Sequence, residues 1–231
     1  EITDISALSN FQTLLNISLK SNFISDLTPF TQIPHLKNLN LQDNRIKYLK
    51  PIKFPALEIL NLSQNRIISI ESISAPKLKK LNLSNNKIFF ISPFSFNECS
   101  SLETLNLSNN HLIFIKEKAF AGLSNLYSLN LSSNSISNLA YSFDNDLLNL
   151  HDIDLGDNPI QSVQGIDNLV QLNVLDLRKT QIEQPLDLIL LGHLSNLQYL
   201  YIYETPLSEL DGVKIELIHI LRTLEEIDEQ P

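Results

Sequence analysis

Three groups of side chains in this 231-residue sequence carry enough chemistry to be weighed first. His151, Asp152, Asp154 and Asp157 fall close together, and Asp176, Arg178 and Lys179 follow about one further segment along the chain. Asp152, Asp154 and Asp176 offer the hard oxygen ligands that calcium takes, but their spacing fits no calcium loop, including the twelve-residue hand motif, so no metal is expected. His151 beside Asp152 is only a pair of sequence neighbours, pointed in opposite directions if both sit fully within a strand, so no acid–base relay follows. His35, His111, His193 and His219 are scattered, and no histidine pairs with an activated Ser or Cys; no catalytic residue is expected. The third group is Tyr199, Tyr201 and Tyr203, half of the six tyrosines, whose alternation puts them on one face of a strand. Large rigid rings with a hydrogen-bonding tip serve as anchors of an interface.

Composition narrows the partners. Only five glycines are present and no Gly-x-Gly spacing occurs, so a phosphate cradle is ruled out and no cofactor is expected. The single cysteine, Cys99, excludes an intramolecular disulfide and points to a reducing compartment, the cytoplasm or nucleus. No run approaches the roughly 18 apolar residues of a membrane span, and no basic-then-apolar leader opens the chain, so no membrane insertion is expected. A net charge of −9 disfavours nucleic acid as a partner. That charge is uneven: residues 1–115 carry 11 Lys/Arg and 8 Asp/Glu, net +3, whereas residues 116–231 carry 6 and 18, net −12.

An internal repeat must hold these residues in place. LKNLNLQDNRI begins at Leu36, LEILNLSQNRI at Leu57, LKKLNLSNNKI at Leu78, LETLNLSNNHL at Leu102 and LYSLNLSSNSI at Leu126. LLNISLKSNFI at Leu14 and LHDIDLGDNPI at Leu150 flank them, and two degenerate copies start at Leu172 and Leu197. The nine copies are spaced by 22, 21, 21, 24, 24, 24, 22 and 25 residues. A fixed period of this length predicts stacked coils, each contributing one short strand and a returning segment to a shared core.

The copies resemble the leucine-rich-repeat consensus LxxLxLxxNxL over nearly the whole chain. The fold this implies is α/β: a right-handed solenoid with a curved parallel sheet on its concave face and loops, 3-10 turns or short helices on its convex face, closed by a C-terminal helical cap. Residues 1–210 form the solenoid, with a trailing half repeat at the N-terminus, and residues 211–231 the cap. The cap, a helical pattern at Val213, Ile215, Leu217, Ile218, Ile220 and Leu221 followed by LEEID from Leu224, is similar to that of intracellular leucine-rich-repeat proteins. At the other end ITDISALSNFQTL reads as half of an earlier repeat, so residues upstream of Glu1 are expected to supply a cap or more repeats.

Asn22, Asn44, Asn65, Asn86, Asn110, Asn134 and Asn158 recur at the turn and are expected to satisfy backbone groups there. Thr180 and Thr205 replace them in the last two copies and predict a looser or differently turned end. Phe96, Phe120 and Phe143 are expected as a stacked aromatic spine, with Cys99 a buried core thiol. The sequons at Asn16, Asn61, Asn82, Asn106 and Asn130 are expected to be repetition of the string LNLS or its equivalents on the concave face, not carriers of glycan.

The second, third, fifth, seventh and eighth positions of each copy should face the concave surface. There, the expected partner-binding residues are Tyr127, His151, Asp152, Asp154, Asp176, Arg178, Tyr199, Tyr201 and Tyr203. An acidic patch beside an aromatic one suits a protein or peptide with a basic segment. The expected function is a non-catalytic interaction module, a scaffold or regulator inside the cell. The alternative is the ectodomain of a surface receptor or adhesin, suggested by the 24-residue copies and strings such as IKEKAFAGLSNL.

Overall fold

A computed structural model describes residues 1–140, 142–143 and 146–228. Each copy contributes a strand of three residues whose central side chain is apolar, partly buried at Ile17 and buried in every later copy, and whose neighbours face outward. Nine such strands are β1 Asn16–Ser18, β2 Asn38–Asn40, β3 Ile59–Asn61, β4 Lys80–Asn82, β5 Thr104–Asn106, β6 Ser128–Asn130, β7 Asp152–Asp154, β8 Val174–Asp176 and β9 Tyr199–Tyr201. A tenth, β10 Glu226–Ile227, comes from the LEEID element and pairs with β9. All pair in parallel in sequence order, with equivalent repeat positions in register, as Asn130↔Asp154↔Asp176↔Tyr201 illustrates. The period of the sequence thus becomes the rung spacing of the sheet, and the expected solenoid is the observed one.

The strand ends because the eighth residue of every copy takes a left-handed backbone, with φ between 52° and 57° from Ser21 to Glu204. For residues with a side chain this conformation is disfavoured by about 1 kcal/mol or more, least for Asn and Asp. The asparagine that follows offsets that strain. Asn86 accepts the Ile67 N–H at 2.9 Å and donates its amide to the carbonyls of Leu62, Leu83 and Ser84. Two of these four bonds reach the preceding coil. The same ladder runs from Asn22, which accepts the Ile2 N–H, to Asn158, which accepts the Ile136 N–H.

It stops there. Thr180 donates only to Leu177 O within its own copy, and Thr205 donates to Ile202 O while accepting the Ser208 N–H that opens the 3-10 turn Pro206–Glu209. The Ile160 N–H, lacking an asparagine in the next coil, turns to the carbonyl of Asn158. The threonines therefore mark a differently turned end, in which side-chain bonds between coils give way to local caps.

On the convex side, Ile52–Lys53 pairs with Ile73–Ser74 and Ser69–Ile70 with Phe90–Ile91. The 3-10 helices Ser6–Asn10, Thr28–Gln32 and Pro185–His193 occupy the flanking coils. Phe96, Phe120 and Phe143 stack with centroid separations of 6.4 and 6.2 Å behind the sheet. Cys99 is fully buried, its thiol donating to Ile73 O, and burial pushes its pKa up to about 11. It is a core thiol held far from the thiolate that nucleophilic chemistry needs. Helix α1, Val213–Ile220, buries Val213 and Leu217 before the chain re-enters the sheet as β10.

Candidate interaction surface

The concave face of β6–β9 brings the expected residues together, but in two chemically distinct sets. The first set is locked. Asp176 is only 7% exposed: one carboxylate oxygen accepts the Arg178 N–H at 3.0 Å and the other pairs with the Arg178 guanidinium. The same guanidinium lies over the Tyr203 ring, 5.2 Å from its centroid, and donates to the Tyr203 hydroxyl. Asp176 chiefly, with Tyr203, raises the Arg178 pKa, so this cation stays charged and its donors are engaged within the protein. The expected open carboxylate at Asp176 is therefore an internal counter-ion, because an acid on a parallel strand with an arginine two residues on folds back on it.

Asp154 is half committed. Its Oδ1 accepts the Gly156 N–H at 3.0 Å and its Oδ2 accepts from the Asn130 amide at 2.9 Å. Burial, with a smaller push from Asp176, raises its pKa despite these bonds. The fifth-position asparagines do the same work: Asn61, Asn82, Asn106 and Asn130 each accept the N–H two residues on. The Asn and Asp fifth positions from Asn40 to Asp176, read from sequence as open concave surface, are thus half-buried or buried turn-closing groups whose side-chain oxygens are already engaged. The signal that could have found this is the pairing of Asn or Asp with Ser, Gly or Arg two residues later, an Asx-turn pattern.

The second set is free. Tyr199 and Tyr201 alternate on β9 with half-buried rings, and their hydroxyls make no hydrogen bond among the described residues. Burial, then the Glu226 carboxylate, raises the Tyr201 pKa and keeps that hydroxyl a donor. The carboxylate of Asp152, a residue in register with Val174 and through it with Tyr199, likewise has no hydrogen-bond partner among the described residues, and burial raises its pKa. Tyr127 and His151 stack with centroids 4.5 Å apart, on the rim where the chain enters β6 and β7, and the His151 Nδ1 is held by Asn149 O at 2.9 Å. The free set therefore offers two hydroxyls, one carboxylate and an aromatic pair across β6–β9.

Sequence reasoning missed the residue that fixes the tyrosine strand. Asp228 accepts the N–H groups of Ile202 and Tyr203 at 2.6 and 2.9 Å, and Lys214 Nζ lies 3.8 Å from its other oxygen. Helix α1 and the closing LEEID element are thereby tied to the backbone end of β9. Among the described residues no cluster of three or more His, Cys, Asp or Glu has metal-holding geometry. No helix among them is long and apolar enough to cross a membrane.

A continuous parallel sheet of nine repeated rungs and a closing tenth strand, with one face bare, defines a repeat solenoid. Family models described as leucine-rich repeats match residues 34–75 and 76–136. The chain is a leucine-rich-repeat protein, and this fold serves generally as a non-enzymatic protein-interaction scaffold. No curated protein matches it by sequence. Among solved structures, internalin C2 of Listeria monocytogenes superposes with a TM-score of 0.64 at 22% identity, over 95% of this chain and 82% of its own. A chain of the octameric complex of latrophilin 3, Unc5D and FLRT2, in which FLRT2 is the leucine-rich-repeat component, gives 0.76 at 21% identity over 92% and 72%. In the complex of TLR13 with ssRNA13 the score is 0.75 at 24% identity, over 98% of this chain but 37% of that one.

Proposed function

We propose that the chain is a non-catalytic module that holds a protein or peptide on its concave face, seated on β7–β9, as a scaffold or regulator inside the cell. One observation carries this reading: Asp152 on β7 and Tyr199 and Tyr201 on β9 flank β8 with unused polar atoms, beside the locked Asp176–Arg178–Tyr203 cluster. An array held rigid by its neighbours loses little entropy on binding, which favours its use as an anchor. The surplus of carboxylates, net −12 over residues 116–231, selects a segment with basic residues and disfavours RNA or DNA.

The test is affinity capture with identified partners, repeated with Tyr199→Ala/Tyr201→Ala. Partners lost from the double variant but kept by an Asn85→Ala control support this face, and an unchanged partner set removes it. A short Lys/Arg-bearing peptide from a captured partner should bind the wild type more weakly as salt rises.

A receptor or adhesin ectodomain is the second reading, favoured by the likeness to the FLRT2-containing complex and by the sequons of the 24-residue copies. Glycan on Asn82 or Asn106 in native material decides for it. Both side chains are half-buried with their oxygens engaged by Ser84 and Ser108, which favours the unglycosylated, intracellular reading.

A further inference from the structure

The twelfth and thirteenth residues of each copy lie on the flank of the solenoid, just past the asparagine turn. Copies two to five place Lys47–Tyr48, Ile68–Ser69, Phe89–Phe90 and Ile113–Phe114 there, whereas copy six has Ser137–Asn138 and copy eight Glu183–Gln184. The fold therefore does not require apolar residues at this place. Tyr48, Phe89, Ile113 and Phe114 are nevertheless between 46% and 57% exposed. Phe89 N–H donates to Ile68 O and Ile68 N–H to Lys47 O, which joins copies two to four of this stripe rung to rung here, and Ile113–Phe114 holds the same repeat position in the next coil, whose His111 N–H donates to Ile88 O.

The stripe is rimmed by cations. Lys47 lies over the Tyr48 ring and Lys116 over the Phe90 ring, each 5.1 Å from the centroid. Arg66 and Lys87, two residues before the stripe positions of their copies, form no ion pair among the described residues. An apolar surface bordered by unpaired cations needs an occupant that is apolar and acidic.

The same molecule carries that complement at its other end. Leu186 and Ile189 project from Pro185–His193, and Ile215 and Ile218 from the helix packed against it, all between 49% and 69% exposed. Asp187 and Glu216 are interspersed with them, Lys214 of the same helix is turned to Asp228 and the Ile227 carbonyl, and Glu183, Glu209 and Asp211 flank them in sequence. One end of the chain is thus basic and aromatic, the other acidic and aliphatic, matching the +3 and −12 division of the charge.

We propose that a second copy of this chain covers the flank stripe, with the acidic C-terminal helices of one molecule docked on the basic aromatic flank of the next. Two different patches meet in such a contact, so each molecule keeps one of each free and the assembly grows as a ring or an open filament. It uses neither the concave face nor its tyrosines, and stands apart from the function proposed above.

The test is sedimentation equilibrium of the full chain and two variants that alter exposed side chains. I113S/F114N installs the residues of copy six on the flank, and I215Q/I218Q removes the aliphatic patch; unchanged melting curves show that both fold. Wild type should exceed 26.2 kDa increasingly as its concentration rises, and return toward that mass between about 0.02 and about 0.5 M salt, where screening shortens to a few ångströms. Each variant alone should stay at 26.2 kDa. Mixed in equal amounts they should pair, roughly doubling the mass, since each retains the patch the other lacks.

Wild type at 26.2 kDa under every condition overturns the proposal, as does a mixture that fails to pair. Pelleting of monomeric wild type, but not I113S/F114N, with phosphatidylserine vesicles assigns the stripe to a lipid surface and also overturns it. Y199A/Y201A should assemble like the wild type; loss of assembly there moves the contact to the concave face and overturns the proposed one.

Discussion

The coils joined by Asn44 through Asn158 and the last coils, turned at Thr180 and Thr205, solve one problem in two ways. Each must satisfy backbone groups left open where the chain leaves the strand in a left-handed conformation. In the middle, a buried amide does so across the boundary between coils, as Asn110 does by joining Leu83 O, Leu107 O and Ile88 N–H. At the end, a hydroxyl does so within one coil, and the next boundary is left to main-chain bonds such as Gln181 N–H to Ile160 O. The middle is therefore stitched coil to coil, while the end is free to vary side chains on its strands. The tyrosines and the Arg178 cluster sit on those freer coils.

The largest effect that separates the two regions should come from the spine, which belongs to the middle alone. Phe120→Ala removes a ring stacked on both sides and should destabilise by about 3–5 kcal/mol, read from the urea midpoint. Asn86→Ala comes next. It leaves the buried Ile67 N–H without its acceptor and the Leu62 carbonyl with the Asn65 amide alone, and should cost about 3 kcal/mol, whereas Thr180→Ala loses one local bond and should cost about 1 kcal/mol. Equal costs for the two would remove the distinction between stitched and locally capped coils.

Asp228→Ala should have an intermediate effect confined to the end. Two amides lose their acceptor, for an expected cost of about 2 kcal/mol. Hydrogen exchange should show faster exchange at Ile202 and Tyr203 and unchanged protection at Leu105. A global loss of protection would mean that the end is not an independently adjustable unit.

These differences also explain what could be read without coordinates. The period, the inward leucines, the ladder from Asn22 to Asn158 and the spine at Phe96, Phe120 and Phe143 are enforced by repetition, because equivalent residues meet equivalent neighbours in every coil. The face that each of Tyr199, Tyr201 and Tyr203 would occupy follows from strand alternation. Which polar groups remain available does not, since it depends on pairs between coils about 25 residues apart, such as Arg178 with Tyr203 and Asn130 with Asp154. The Asp228 contact crosses the same kind of gap, from the closing element back to β9. The Asx turns at Asp154 and Asp176 are local and legible in the Gly156 and Arg178 that follow two residues on, whereas strand alternation by itself makes both carboxylates look open.

The smallest expected effect tests whether Asp154 belongs to the binding end or to the ladder of fifth-position amides that precedes it. Its carboxyl is raised above the usual range, first by burial and then by Asp176. A raised acid pKa means that the folded state favours the proton, so the stabilisation is complete below the ordinary carboxylate range and is lost as pH rises through the raised value. The substitution Asp154→Asn keeps an acceptor for the Gly156 N–H, as Asn130 provides one for Ser132, and removes the buried charge. Thermal melts of this variant should match the wild type near pH 4, then lie above it by a margin that grows toward pH 7. A variant that melts lower at pH 7 would show that the charge is held favourably by Arg178, making Asp154 part of the locked cluster and leaving Asp152 as the carboxylate a partner meets.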